Sequence, residues 1–117
     1  MLRAGFAETD ITPPIGKLMP GGFEPCVAIE PPRGRLKVTA MAVENGDAKM
    51  ILVSADLLSM SVGYADRLRA RISARTGVPV ENIMLASTHI HTGAAVDYQL
   101  WLCPPDEEVK NIRSAAV

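Results

Sequence analysis

The only two histidines of the chain, His89 and His91, lie two positions apart directly after an apolar run at residues 83–86. Alternate side chains of an extended strand share a face, so both imidazoles are predicted to point the same way, roughly 6–7 Å apart at their bases. That spacing lets both rings reach one metal ion or one substrate group. Neutral imidazole is a common zinc ligand, and the pattern therefore predicts a zinc site at a strand end. Gly93 is expected to turn the backbone away and leave room for a ligand.

The alternative for such a pair is structural, with one half-buried, hydrogen-bonded histidine and one exposed histidine. The surrounding elements favour a site. A strand at residues 50–53, a helix at residues 62–76 and a strand at residues 83–88 form a predicted βαβ unit. Ser59 or Ser61 is expected to cap the helix, and Gly77 to end it.

Parallel strands bring their carboxyl ends to one edge of a sheet, where open α/β sheets bind ligands. Asp56 follows the first strand of the predicted unit and His89 follows the second. Asp56 is therefore predicted to orient an imidazole as a hydrogen-bonding partner behind the metal ligand. Its alternative role is to cap the loop before the helix.

The rest of the chain adds strands to the same sheet. Apolar and polar residues alternate at 4–12 and 36–43, which predicts two strands. Asn45-Gly46 predicts a hairpin into the strand at residues 50–53. That strand is apolar on both faces, which indicates a central strand covered on both sides. Residues 13–35 form a long loop rich in proline and glycine, and residues 106–117 read as a helix without a C-cap. The predicted fold is a single α/β domain over residues 1–117. It has a mixed sheet with an N-terminal strand, a β-hairpin and a βαβ unit, and is cut from a larger domain.

Composition excludes several classes of protein. The chain has 117 residues, 48% of them apolar, and a net charge of −1, which gives no reason to expect a nucleic-acid partner. Cys26 and Cys103 match no metal or redox spacing and are expected to be free thiols, with a disulfide as the alternative. No run approaches the ~18 apolar residues of a membrane span. No secretory signal is visible, which predicts a cytoplasmic protein if Met1 is the native start.

Three motifs, in this order, resemble the neutral (non-lysosomal, alkaline) ceramidase family. They are residues 5–16, residues 53–58 and residues 86–93. The family typically carries Thr-His-Thr-His-Ser-Gly-Pro at the last of them. Here Ile90, Thr92 and Ala94 replace the second threonine, the serine and the proline. The changes at Thr92 and Ala94 lie beside the site and bear on the substrate class.

The resemblance implies a zinc-dependent amide hydrolase that cleaves the N-acyl bond of a lipid amide. It assigns His89 as a zinc ligand and His91 as the second, catalytic histidine. The family completes its zinc shell with a histidine, a glutamate and a tyrosine from later in the chain, and this sequence has no third histidine. Glu8, Asp10 and Asp56 are the carboxylates considered as substitutes. The sequence thus predicts a truncated part with an incomplete metal site and little activity of its own.

Two other interpretations compete with this one. The first is a non-catalytic α/β module whose His-x-His is structural or binds metal weakly, and which self-associates through exposed sheet edges. The second is an unrelated hydrolase with Ser54 or Ser87 as nucleophile. Neither serine lies in a Gly-x-Ser-x-Gly elbow, which counts against this second interpretation.

Overall fold

The computed structural model describes residues 1–17, 19, 21, 34–93 and 96. Its elements follow one another in the order strand, strand, strand, helix, strand. They are β1 (Leu2–Asp10), β2 (Lys37–Asn45), β3 (Ala48–Ala55), α1 (Val62–Thr76), a 3₁₀ turn (Val80–Asn82) and β4 (Ile83–Ser87).

The four strands form one sheet in the order β1-β2-β3-β4. β1 pairs with β2 and β2 with β3 in antiparallel fashion, whereas β3 and β4 run parallel across α1. The predicted α/β fold, with its N-terminal strand, hairpin and βαβ unit, is confirmed. The hairpin turn itself consists of Gly46 and Asp47, since Asn45 already pairs with Ala48. Gly46 has a φ of 61°, and a positive φ at the first central residue is the requirement of a type II′ turn.

Helix α1 has the ends that its sequence predicts. The Ser61 side chain accepts a hydrogen bond from the Tyr64 N–H at 3.1 Å, which satisfies one of the donors left over in the first turn. Gly77 adopts a left-handed conformation with a φ of 73°, and its N–H donates to the Ser73 carbonyl. These caps satisfy backbone groups at both ends of the helix.

The core lies between α1 and one face of the sheet. Ile51 on β3, Ile83 on β4 and Val78 after the helix are all buried, and Ile72 of the helix packs against them. This apolar contact fixes the βαβ unit, because burying each such side chain contributes roughly 1.5–3 kcal/mol.

The opposite face of the sheet is exposed at its outer strands and half-buried at Met41 and Leu52, among the described residues. One cross-strand row runs over all four strands, with Phe6 paired to Met41, Met41 to Leu52, and Leu52 to Met84. Phe6 is 78% exposed and Met84 is 60% exposed. Among the described residues α1 covers one face of β3, and coverage of its other face stays a prediction.

Several predictions fall outside the described residues: the helix at 106–117, both cysteines, and most of the loop at 13–35. β1 and β4 are the outer strands of the described sheet, and self-association through such edges stays a prediction. None of the described helices is long and apolar enough to cross a membrane.

Candidate active site

The carboxyl ends of β3 and β4 meet at one edge of the sheet, as predicted. Ala55 pairs with Ser87 in the last register position, and the Thr88 N–H continues the ladder to the Ala55 carbonyl at 3.0 Å. The end of β1 and the start of β2 reach the same edge, where Asp10 pairs with Lys37. We call this side of the sheet the site edge; it is marked by Asp10, Lys37, Asp56 and Thr88.

Asp56 ties three segments together at the site edge. Its Oδ2 accepts from the Lys37 N–H at 2.9 Å, and its own N–H donates to the Lys37 carbonyl at 2.9 Å. Its Oδ1 accepts from the Thr88 hydroxyl at 3.1 Å. The carboxylate thus binds the residue that precedes His89, and both of its oxygens have a partner other than an imidazole.

His89 does not continue the strand. β4 ends at Ser87, and His89 has a φ of 62°, the only positive φ among the described non-glycine residues. The prediction of two histidines alternating along an extended strand is therefore wrong in its geometry. A left-handed conformation costs an ordinary residue about 1–2 kcal/mol and persists only where the surroundings enforce it.

One contact that holds His89 in place is made by its ring. The Nδ1 atom lies 2.8 Å from the carbonyl oxygen of Leu58, in the loop that follows β3. Leu57 and Leu58 are 7% and 5% exposed, so apolar burial fixes the position of that carbonyl.

His91 is held by the long loop after β1. Its Nδ1 atom lies 2.7 Å from the carbonyl oxygen of Gly21, 70 positions earlier in the chain. The two imidazole rings meet edge to face, with their centres 5.0 Å apart and their planes at 89°. The structure thus brings the two predicted site histidines together despite the change in backbone.

The two carbonyl contacts decide which nitrogen of each ring carries the proton. A carbonyl oxygen can only accept, so Nδ1 must donate, and in the neutral ring the lone pair then lies on Nε2. Metal-binding histidines commonly donate their other ring N–H to a backbone carbonyl in this way. Zinc binds imidazole nitrogen at about 2.0–2.1 Å, and the two ring centres lie 5.0 Å apart. The donor chemistry therefore fits zinc, with His89 and His91 as candidate ligands.

A third protein ligand does not join them within the described part of the chain. There, no three His, Cys, Asp or Glu side chains lie close enough to hold a metal ion. The carboxylates considered from sequence have other partners: Glu8 binds the Lys37 ammonium at 2.8 Å, and Asp10 binds the Arg35 guanidinium at 3.0 Å. Hydrogen bonds from the Thr12 side chain and backbone N–H, with a smaller contribution from Arg35, lower the pKa of Asp10.

Gly93 is required by packing of the chain on itself. It is buried, and a Cβ at this position would lie 2.9 Å from the Asp56 carbonyl oxygen and 3.1 Å from Cγ2 of Ile90. The room that its missing side chain provides is thus taken by the loop after β3. This close approach brings the segment after His91 back over Asp56.

Sequence reasoning missed both carbonyl partners of the histidines. Backbone carbonyls carry no residue-type signal, and Leu58 and Gly21 are 31 and 70 positions away from their rings. The available hints were the apolar pair Leu57-Leu58 directly after Asp56 and the adjacent glycines of the Pro20-Gly21-Gly22 stretch.

The structure does not support Ser54 or Ser87 as a catalytic nucleophile. The Oγ atom of Ser87 is buried and has no hydrogen-bond partner among the described residues. Ser54 pairs with Thr39 and Ala86 within the sheet, two positions before Asp56. Activation of a serine requires a base within hydrogen-bond distance, and Ser87 Oγ has none among the described residues.

The solved structures that are similar to this chain in sequence and fold include two ceramidases. The crystal structure of neutral ceramidase from Pseudomonas aeruginosa has 27% sequence identity to it, covers 80% of it and gives a TM-score of 0.63. The predicted resemblance to neutral ceramidase is confirmed. A ceramidase complexed with C2 has the same identity and coverage with a TM-score of 0.62. This ceramidase-like chain spans 16% and 15% of the lengths of those two chains. No family model matches it, and no curated protein matches it at a significant level.

Proposed function

We propose that this chain supplies part of the active site of a zinc-dependent amide hydrolase that cleaves the N-acyl bond of a lipid amide. The observation that carries the proposal is the pair of histidine rings with centres 5.0 Å apart, each with its Nδ1 atom on a backbone carbonyl. The pair lies at the site edge of a sheet similar to part of neutral ceramidase. The remaining metal ligands are proposed to come from outside the described residues.

The two histidines are assigned different roles. The resemblance to neutral ceramidase assigns His89 as the metal ligand, and its Nδ1 contact with the Leu58 carbonyl suits that role because it fixes the ring and leaves the lone pair on Nε2. The same resemblance assigns His91 as the residue that moves the proton, and its ring lies beside His89 with its lone pair also on Nε2. When bound, zinc polarises an amide carbonyl and lowers the pKa of a bound water to about 7.

Asp56 is assigned a positioning role for His89, which it exerts through the preceding residue, Thr88. Its carboxylate binds the Thr88 hydroxyl and the Lys37 N–H, so it fixes the backbone from which His89 extends. The proposal that it supports the metal site therefore runs through Thr88. Its loop-capping role and its supporting role follow from the same hydrogen bonds.

The test compares the two histidine variants in the full-length protein. His89→Ala is expected to abolish zinc uptake, measured by elemental analysis, together with hydrolysis of an N-acylsphingosine. His91→Ala is expected to retain zinc and to lower kcat by about 10²- to 10⁴-fold, the usual contribution of a general acid or base. Zinc content unchanged in His89→Ala contradicts the ligand assignment, and wild-type kcat in His91→Ala contradicts the catalytic one.

The alternative is a non-catalytic α/β module whose His-x-His is structural or binds metal weakly. The observation in its favour is that the described residues hold two candidate zinc ligands rather than the usual three. Under this alternative the wild-type protein takes up no stoichiometric zinc, and neither histidine variant changes a rate of amide hydrolysis.

A further inference from the structure

Gly21 makes two unusual contacts with His91. Its carbonyl oxygen lies 2.7 Å from Nδ1 of the ring, and the residue is buried. A Cβ at this position would overlap the main-chain carbonyl of His91. The N–H of Gly21 also donates to the Met19 carbonyl at 2.9 Å. Only glycine allows the two backbones to approach this closely.

The contact has a chemical consequence beyond packing. Because the Gly21 carbonyl can only accept, it selects the His91 tautomer that carries its proton on Nδ1. The Leu58 carbonyl does the same for His89, but from a buried apolar segment with no glycine requirement. The orientation of His91 therefore depends on the absence of a side chain 70 positions away in the sequence.

We propose that Gly21 is a positioning residue for His91: its carbonyl fixes the ring and its tautomer, and its missing side chain makes that contact possible. The catalytic consequence rests on the proposed function, whereas the tautomer itself does not. With the proton held on Nδ1, Nε2 is the atom that accepts and returns protons during hydrolysis.

The proton balance is that of amide hydrolysis by water. Nε2 of His91 takes a proton from the attacking water as its oxygen bonds to the amide carbon. The imidazolium then carries protons on both nitrogens, and Nδ1 still donates to the Gly21 carbonyl. The C–N bond breaks, and Nε2 delivers its proton to the departing nitrogen. The products are a carboxylic acid and an amine, and His91 returns to its starting tautomer.

The direct test is the tautomer of each ring, measured by ¹⁵N NMR of the histidine side chains at about pH 8.5, where unperturbed imidazoles are neutral. In the wild-type chain both rings are expected to carry the proton on Nδ1. In Gly21→Ala, His91 is expected to shift toward the Nε2–H form while His89 keeps its tautomer and serves as an internal reference. Gly5→Ala is the matched control, because a Cβ at Gly5 meets nothing within 4 Å.

Kinetics of the full-length protein separate positioning from a merely structural effect. Gly21→Ala is expected to lower kcat by about 10- to 100-fold with little change in KM or zinc content, as for other residues that orient an active-site group. An Nε2–H tautomer of His91 in the wild type overturns the proposal, and this result does not depend on whether the variant folds. A folded Gly21→Ala variant with an unchanged tautomer overturns it as well.

The same measurements separate this proposal from the proposed function. Suppose that the His91 tautomer shifts in Gly21→Ala, but the wild-type protein neither binds zinc nor hydrolyses amides. This result supports the positioning role of Gly21 and contradicts the proposed hydrolase function. Zinc-dependent hydrolysis with a kcat that Gly21→Ala leaves unchanged supports the hydrolase and contradicts the role of Gly21.

Discussion

The body of the sheet and its site edge are held together by different interactions. In the body, regular ladders pair every residue from Ile51 to Ala55 of β3 with β4, and buried Ile51 and Ile83 pack under α1. At the site edge, backbone carbonyls hold side chains from distant segments, and His89 adopts a left-handed conformation. The body is built by local pattern and apolar burial, whereas the edge is built by single hydrogen bonds. Substitutions in the two regions should therefore differ in both magnitude and kind.

The largest effect is expected in the body. Ile83 is 3% exposed in the core with Ile51 and Val78, so Ile83→Ala leaves a cavity and should lower the free energy of unfolding by about 2–5 kcal/mol. Its neighbour Met84 is 60% exposed on the other face, and Met84→Ala should cost less than about 1 kcal/mol. Urea unfolding of the two variants measures the difference. Equal losses would show that the two faces of β4 are equally buried in solution.

An intermediate effect is expected from Asp56, which joins the body to the site edge. Asp56→Ala removes the acceptors for the Lys37 N–H and the Thr88 hydroxyl and should cost about 1.5–3 kcal/mol of unfolding free energy. Asp56→Asn keeps an acceptor and should cost less.

The zinc affinity of the Asp56→Asn variant tests its proposed support of the metal site. A loss of roughly 10- to 100-fold is expected if the carboxylate fixes the backbone of His89. Calorimetric titration of zinc into the full-length protein measures it. An unchanged affinity combined with lower stability would leave Asp56 as a loop cap alone.

The body was predictable from sequence because its determinants are local. Alternating apolar residues, the glycine of the hairpin, and the caps Ser61 and Gly77 each act within a few positions of the element they define. The helix bounds at 62–76 match the structure, and β4 differs by a single residue at its end. β1 lies two residues earlier than expected because its pairing with β2 continues to Leu2 and Asn45, beyond the apolar pattern.

The sequence was sufficient to predict which residues lie at the site edge, but not their backbone conformation or their contacts. The parallel arrangement of β3 and β4 was sufficient to bring Asp56 and His89 to one edge, and the motif placed His91 beside them. The left-handed conformation of His89 has no signal in its residue type, and the Leu58 carbonyl that its ring contacts lies 31 positions earlier in the chain. Long-range contacts through main-chain atoms leave no periodicity in the sequence.

The smallest predicted effect is the most specific to the site edge. His89→Gly and His89→Ala both remove the ring and its contact with Leu58, but only glycine adopts a φ of 62° without strain. The glycine variant should therefore be the more stable of the two by about 1 kcal/mol. The same pair of substitutions at Thr88, whose φ is not positive, should give the opposite order, because glycine loses more backbone entropy on folding. Unfolding free energies of the four variants in urea decide the comparison. Equal stability of the alanine and glycine variants at position 89 would contradict this prediction. It would show that the positive φ depends on the contact between the His89 ring and the Leu58 carbonyl, and that the backbone relaxes when the ring is removed.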